Sequence, residues 1–443
     1  MTFRTYLIRA RSHIVFLLGL FCAFGLVIAL ENWQPTSPAN QTLKIERTRD
    51  SNLPSPRPLT AEEMEWAKIA WRYFERNTQA ATGLVNSVDT YPSNTLWDTS
   101  SYLLGLIAAH RLGLVDKANF DQRITRALDS LAKLKLFDGK LPNKVYNTTN
   151  LQMTDYGNQP TPKGIGWSAI DIGRLLSPLN ILIWNYPQHT AKVKSVILAW
   201  DFTPLIKDGT MYGAAYDRNG KIVYLQEGRL GYEQYAAKSL ALLGLDVNNA
   251  LSYGPYLKYV DIYDVKVPTD SRTPEKYHAH NYVVSESYIL DGLEYGWDHV
   301  STEFAYRVYR AQRERFARTG QLTAVSEDNI DQAPYFVYNT VFSSGKTWNT
   351  ITESGKDASE FRSISTKAVF GWHVLYQTEY TQQLLDAVKS LYDPEKGWYS
   401  GLYEATKKPN TAITANTNGI ILQALSYKQF GPMVRPYPVE KTE

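Results

Sequence analysis

The chain has 443 residues, 44% of them hydrophobic and 21% charged, enough apolar material for a large core and a length that suits two or three average domains or one large one. Its formal net charge of +3 is accounted for by Arg4, Arg9 and Arg11, so the remainder sets 44 basic against 44 acidic residues. That balance excludes the basic footprint of a nucleic-acid binder, and a single cysteine, Cys22, excludes an intrachain disulfide.

In chain order, the first feature is an uncharged run of 17 residues from Ile14 to Leu30, behind the three arginines. At helical rise it covers about 25 Å against a hydrocarbon core of roughly 30 Å. Residues 1–30 are therefore expected to form an N-terminal transmembrane anchor or signal helix. Basic residues before it and Glu31 after it place the body outside the cytoplasm. The expected location is the inner membrane, with the domain in the periplasm or outside the cell. Val27-Ile28-Ala29 offers a cleavage site, and cleavage would make the protein secreted. Residues 31–59, rich in Pro and Ser, read as a linker.

Residues 60–443 read as one helical domain. Thr60-Ala61-Glu62-Glu63 is a capping box, and Trp66, Ile69, Ala70, Tyr73 and Phe74 follow at amphipathic spacing. Ser100 to Leu114 is then apolar nearly all round, the mark of a buried helix. The alternation recurs with Phe120 to Phe137 before Ser168 to Trp184, His189 to Trp200 before Tyr232 to Leu243, His299 to Arg318 before Ser365 to Leu375, and Thr381 to Tyr392 before Thr417 to Tyr427. Turn glycines at 83, 139, 209, 320 and 397 punctuate the units, with one long gap of 111 residues. Within the gap, Leu251 to Ser271 alternates apolar and polar residues (Val260, Ile262, Val265, Val267) among several turn residues, as a strand or loop would, and Glu286 to Tyr295 supplies another inner helix. A buried helix that cannot be covered alone must stack or close, so six such pairs predict an all-α, closed α/α toroid. An open solenoid of helix pairs is the competing architecture.

In a ring of alternating helices every outer-to-inner connection falls on one rim. That rim would collect Asp98, Asp171, Glu227, Glu233, Glu286, Glu327, Asp328 and Glu404, with Trp97, Trp167, Tyr232, Tyr288, Tyr335, Trp348 and Tyr399. The densest stretch is Gln226 to Tyr235, where two carboxylates and Arg229 surround two glycines that permit close backbone approach. Paired carboxyls beside aromatic faces are the chemistry of glycoside cleavage, one protonating the leaving oxygen and the other activating water or attacking. Each acid also has a purely structural reading. Asp98 can cap a helix, Asp171 can pair with Arg174 one turn on, and Glu327-Asp328 can be solvated loop. His278 and His280 would share one strand face, but no further His or Cys joins them, so no metal and no cofactor is expected. They also suggest a polysaccharide lyase, whose anionic substrate an acidic mouth would repel.

The segments Gly164 to Leu176, Gln226 to Tyr235, Ser285-Glu286-Ser287-Tyr288, Val325-Ser326-Glu327-Asp328 and Asn416-Thr417-Asn418 resemble a bacterial family catalogued as a domain of unknown function, number 3131. The likeness runs from Thr60 to Tyr427. The family looks related to the glycoamylase-like α/α toroids, among which are glycosidases of β-glucans. Ser287 departs from the proline expected there, which removes a rigid residue at a helix start.

The combined expectation is a membrane-anchored, exported glycoside hydrolase acting on a neutral glucan. Glu227 would be the general acid, Asp98 or Asp171 the base or nucleophile, and Glu233 and Glu286 would tune or position them. Trp97, Trp167, Arg229, Tyr232, Tyr288, Glu327, Asp328, Tyr335, Trp348, Asn416 and Asn418 would hold a polysaccharide or oligosaccharide. The alternative is a non-catalytic polysaccharide-binding or scaffold subunit of an envelope polysaccharide system.

Overall fold

A computed structural model describes residues 53–434 apart from 278 and 279, together with Ala23, Leu43 and residues 45–48. Residues 1–30, read above as an anchor or signal helix, lie outside the described residues except for Ala23, as does most of the linker. Among the described residues no helix is long and apolar enough to cross a membrane. The described linker residues nearest the body dock onto it. Thr48 hydrogen-bonds Glu303 through its amide and hydroxyl, and Arg57 forms a two-point pair with Glu63 at 2.8 Å.

The longer helices, in chain order, are α1 (Ala61–Asn77), α2 (Leu96–Arg111), α3 (Lys117–Leu131), α4 (Ala169–Asn185), α5 (Thr190–Leu198), α6 (Tyr232–Leu242), α7 (Glu286–Tyr295), α8 (His299–Thr319), α9 (Thr366–Tyr376), α10 (Glu379–Val388) and α11 (Ala415–Phe430). The capping box at the head of α1 forms as its sequence dictates: Thr60 accepts from the Glu63 amide, and the Glu63 carboxylate accepts from the Thr60 amide at 2.8 Å. Trp66, Ile69, Ala70, Tyr73 and Phe74 make its buried face. Helix α3 likewise buries one stripe, Phe120, Ile124, Ala127, Leu128 and Leu131, whereas α2 is buried almost throughout. The inner helices touch in sequence: α2 packs on α4, α4 on α6, α6 on α7, α7 on α9, α9 on α11, and α11 on α2. They approach closely because small residues meet. A side chain at Gly173 of α4 would put its Cβ 2.7 Å from the Ala236 carbonyl of α6.

Inner-to-outer connections are short, as between Tyr295 and His299 or Tyr376 and Glu379, whereas outer-to-inner ones are long. Those long connections correct the all-α expectation, because they fold into antiparallel hairpins. Leu136–Phe137 pairs with Leu141–Pro142, and Ile206–Lys207 with Thr210–Tyr216, which pairs in turn with Ile222–Gln226. Asp138-Gly139 and Asp208-Gly209 both have positive φ, at 52° and 67° and at 49° and 69°. Asp-Gly with both residues left-handed is a hairpin turn matched to strand twist, so these glycines close hairpins, and the helices before them end earlier, at Leu131 and Leu198. Ser93–Thr95 pairs with Val145–Asn147, which sews neighbouring connections together. The gap between α6 and α7 holds the hairpin Leu257–Ile262 and Val265–Asp270, whose second strand packs on α8 in place of an outer helix.

Candidate active site

A cavity of about 1300 Å³ opens among the long connections. Of the residues singled out from sequence, Asp98, Asp171, Glu227, Trp97, Arg229, Tyr232, Glu327, Asp328, Tyr335 and Asn416 all line it. They come from four inner-helix starts and two loops, so the placement follows from helix direction.

The first acid group is built at the head of α4. Ser168 caps that helix, accepting from the Asp171 amide at 3.1 Å and donating its hydroxyl to Asp171 Oδ1 at 3.0 Å. Glu227, arriving from the end of the strand Ile222–Gln226, places Oε2 on the amides of Ala169 and Ile170. A carboxylate at a helix N-terminus is the favoured partner of those unsatisfied N–H groups. Burial pushes Glu227 above its ordinary value, against the charge of Lys144 and the two amides. Burial, and then the charge of Glu227, push the Asp171 carboxyl up to about 7. Two half-buried acids in mutual repulsion do not readily both ionise, so this pair retains a proton near neutral pH. Asp98, in the first turn of α2, takes hydrogen bonds on Oδ2 from the Ser87 hydroxyl at 2.5 Å, the Thr95 hydroxyl at 2.7 Å and the Thr95 amide at 3.3 Å. Its Oδ1 carries none of these.

A second acid group lies on the strand Glu327–Asn329. Glu327 Oε1 accepts from the Tyr232 hydroxyl, and Asp328 Oδ1 accepts from Ser365 at 3.2 Å and faces Lys367 at 3.5 Å. Burial pushes Asp328 up to about 7 against the charge of Lys367. Beneath both groups Glu286, 1% exposed, ties the inner helices together. It accepts from Trp97 Nε1 at 3.1 Å, Arg174 Nη1 at 3.3 Å and Asn416 Nδ2 at 2.8 Å, and it pairs with Lys367. Burial works to raise it, but the charges of Lys367 and Arg174 outweigh burial and hold it below its ordinary value. The Arg174 guanidinium also lies 4.1 Å from the Trp97 ring centroid, which fixes that indole at the cavity edge.

Six of the expected site residues are not among those lining the cavity. Glu286 forms the hub just described. Glu233 is buried against Arg272 at 2.7 Å and takes a hydrogen bond from Gln226 at 3.0 Å, so it braces the Gln226 to Tyr232 loop. That loop passes so close that a Cβ at Gly228 would lie 2.7 Å from Glu233 Cβ. Trp167 is fully buried with its indole on the Tyr212 carbonyl. Tyr288 is buried beneath Gly231, and Ser287 Oγ would lie 2.8 Å from a Cβ added there. Trp348 stacks on Tyr263, and Asn418 accepts from the Trp398 amide at 2.9 Å. Glu404 pairs with Arg315 at 2.8 Å. His280 lines the cavity, whereas His278 lies outside the described residues. Among the described residues no three His, Cys, Asp or Glu side chains are grouped to hold a metal.

Sequence reading missed Tyr156, Tyr282, Tyr338, Glu353 and Lys367, all of which line the cavity. Tyr282 and Tyr338 stack face to face at 3.7 Å, and Tyr156 is 61% exposed. A legible signal existed for Lys367, a lone cation in the otherwise apolar start of α9.

The fold has counterparts among solved structures. An endo-β-1,2-glucanase from Chitinophaga pinensis shares the fold with a TM-score of 0.59 at 12% identity, covering 85% of this chain and 94% of that one. A candidate glucoamylase from Bacteroides caccae gives 0.58 at 12% identity over 84% and 95%. An endo-β-1,2-glucanase from Talaromyces funiculosus in complex with sophorose gives 0.55 at 12% identity over 83% and 84%. No curated protein matches the sequence. Residues 65–431 match the family described as protein of unknown function DUF3131, and since that match spans most of its length, the chain belongs to this family.

Proposed function

We propose that the protein is a glycoside hydrolase that cleaves a neutral β-glucan, with a β-1,2-linked chain as its first candidate substrate. The observation that carries this reading is the gathering of Asp98, Asp171 and Glu227 in one cavity with Trp97, Tyr232, Tyr282 and Tyr338. Aromatic faces suit the apolar faces of sugar rings, and the carboxyls suit proton transfer to and from a glycosidic oxygen and a water. The fold relatives named for β-1,2-glucanase activity support the linkage. Glu227 is the general acid, because burial favours its protonated form. Asp171, its neighbour, keeps the proton on the pair. Asp98 is the general base, since its hydrogen bonds fall on Oδ2 and leave Oδ1 for a water. The circuit of inner helices is read as a closed α/α toroid, and residues 1–30 as its membrane anchor or signal, with the domain outside the cytoplasm.

The cavity sets Asp98, Asp328, Glu353 and the Asp171–Glu227 pair, which shares one proton, against Arg229 and Lys367, a field that disfavours polyanions. The full chain is expected to release reducing ends from β-1,2-glucan and none from polygalacturonate. Release from the uronate alone would overturn the reading. Gly213 supplies a finer check. A Cβ there would lie 2.5 Å from Glu227 Oε1, and since a flexible carboxylate yields more cheaply than backbone, Gly213→Ala should move the acid without unfolding the chain. A shift of about 1 Å costs about 100-fold in rate. The expected result is a kcat lowered by about that factor with an unchanged melting temperature.

A further inference from the structure

Glu327 carries a feature that the reading above does not use. Its Oε1 is taken by the Tyr232 hydroxyl, while Oε2 is buried with no partner among the described residues although the residue lines the cavity. The groups that face it are Tyr232 from α6, Glu286 from α7, Lys367 from α9, Asp328 beside it, and Tyr338 on the paired strand with Tyr282 stacked upon it. Lys367, the cation among them, is bound to Glu286 and faces Asp328. An ionised Glu327 would thus stand as a poorly compensated charge next to another carboxylate, which is costly away from water. Burial and the charge of Glu286 accordingly push its carboxyl up to about 8. With Oε1 accepting from Tyr232, the proton belongs on Oε2, the orphaned oxygen.

We infer that Glu327 is a specificity-determining residue whose Oε2–H donates a hydrogen bond to an uncharged sugar hydroxyl of the chain bound over the Asp171 and Glu227 acids. The inference rests on the glucan reading for its ligand and not on cleavage. A site that binds through the neutral acid loses its donor, and gains a buried charge, when the acid ionises.

The test is the dissociation constant of a β-1,2-linked glucose tetramer for the full-length protein, measured calorimetrically over a pH series in a Glu227→Gln background that keeps the ligand intact. Binding should weaken about tenfold per pH unit above about 8. Adding Glu327→Gln, whose amide keeps a donor and cannot ionise, should abolish that slope. Adding Glu327→Ala should weaken binding by about tenfold or more below about pH 8, where the parent keeps its donor, and should remove the slope above it. Asp328, pushed to about 7, and Asp171, relieved of the Glu227 charge in this background, are common to all three proteins, so the slope lost is that of Glu327. An unchanged slope in Glu327→Gln, unchanged affinity in Glu327→Ala, or no binding at any pH would overturn the inference. A protein without hydrolytic activity that shows the expected slope would leave the inference standing and refute cleavage. Hydrolysis with pH-independent affinity would do the reverse.

Discussion

Glu227→Gln is expected to lower the rate of glucan cleavage by about 10²- to 10⁴-fold, the range supplied by a positioned general acid, while the melting temperature stays within a few degrees. The amide is isosteric and can still accept from the Ala169 amide through one oxygen, so the head of α4 is preserved and only the transferable proton is lost. Substrate binding should persist, which separates this change from damage to the cavity. The pH dependence of the unsubstituted protein should agree with it. Because the Asp171 carboxyl stands at about 7 and Glu227 is raised beside it, kcat requires the protonated pair and falls as pH rises through about 7. Steady-state rates on β-1,2-glucan with product quantified by chromatography check both statements. A loss below about tenfold would move the acid role to another carboxyl, with Asp171 the nearest.

Glu286→Ala has the opposite profile and should chiefly lower stability. Its carboxylate answers Arg174 and Lys367, which are 0% and 3% exposed and therefore have no solvent to fall back on. Breaking a buried ion pair by removing one partner costs about 3–5 kcal/mol, because the other charge is left uncompensated. Here Arg174 loses its carboxylate and Lys367 keeps only Asp328 at 3.5 Å, and Trp97 and Asn416 lose their acceptor as well. Urea unfolding of the full chain, followed by tryptophan fluorescence, should show that loss at constant m-value. Glu286→Gln keeps the shape and an acceptor for Trp97 but not the charge, and should fall between the two. A change below about 1 kcal/mol for the alanine variant would mean that the inner helices hold together without this centre.

Much of the scaffold was legible because burial leaves a periodic trace. Trp66, Ile69, Ala70, Tyr73 and Phe74 fall on one face of α1 in the sequence and are buried in the structure. The alternation at Val260, Ile262, Val265 and Val267 marked strand or loop in the gap, where the structure has a hairpin in place of an outer helix. Rim placement followed from helix direction, which is why Asp98, Asp171, Glu227, Glu327 and Asp328 meet in one cavity. The division of the acids into those lining it and those buried beneath it was not legible. Glu227 and Glu286 both stand near a helix start, and what separates them is a long-range partner. Glu286 meets Arg174 and Lys367 from two other inner helices, and Glu233 meets Arg272 from the far end of a hairpin. No local pattern reports such pairings. The same holds for Tyr282 and Tyr338, whose stacking depends on two strands brought together from separate connections. The Asp-Gly pairs were a different kind of miss. Their hairpin chemistry was present in the sequence, but they were read only as turns between the units.

The most direct test of the central claim is proton NMR of β-1,2-glucan during incubation with the full-length protein and, in parallel, with its Glu227→Gln variant. The account predicts that new reducing-end anomeric signals grow in with the unsubstituted protein and are suppressed at least about 100-fold by the substitution. Binding of the glucan with no new anomeric signals from either protein would contradict it, and would assign the cavity to a carbohydrate-binding subunit.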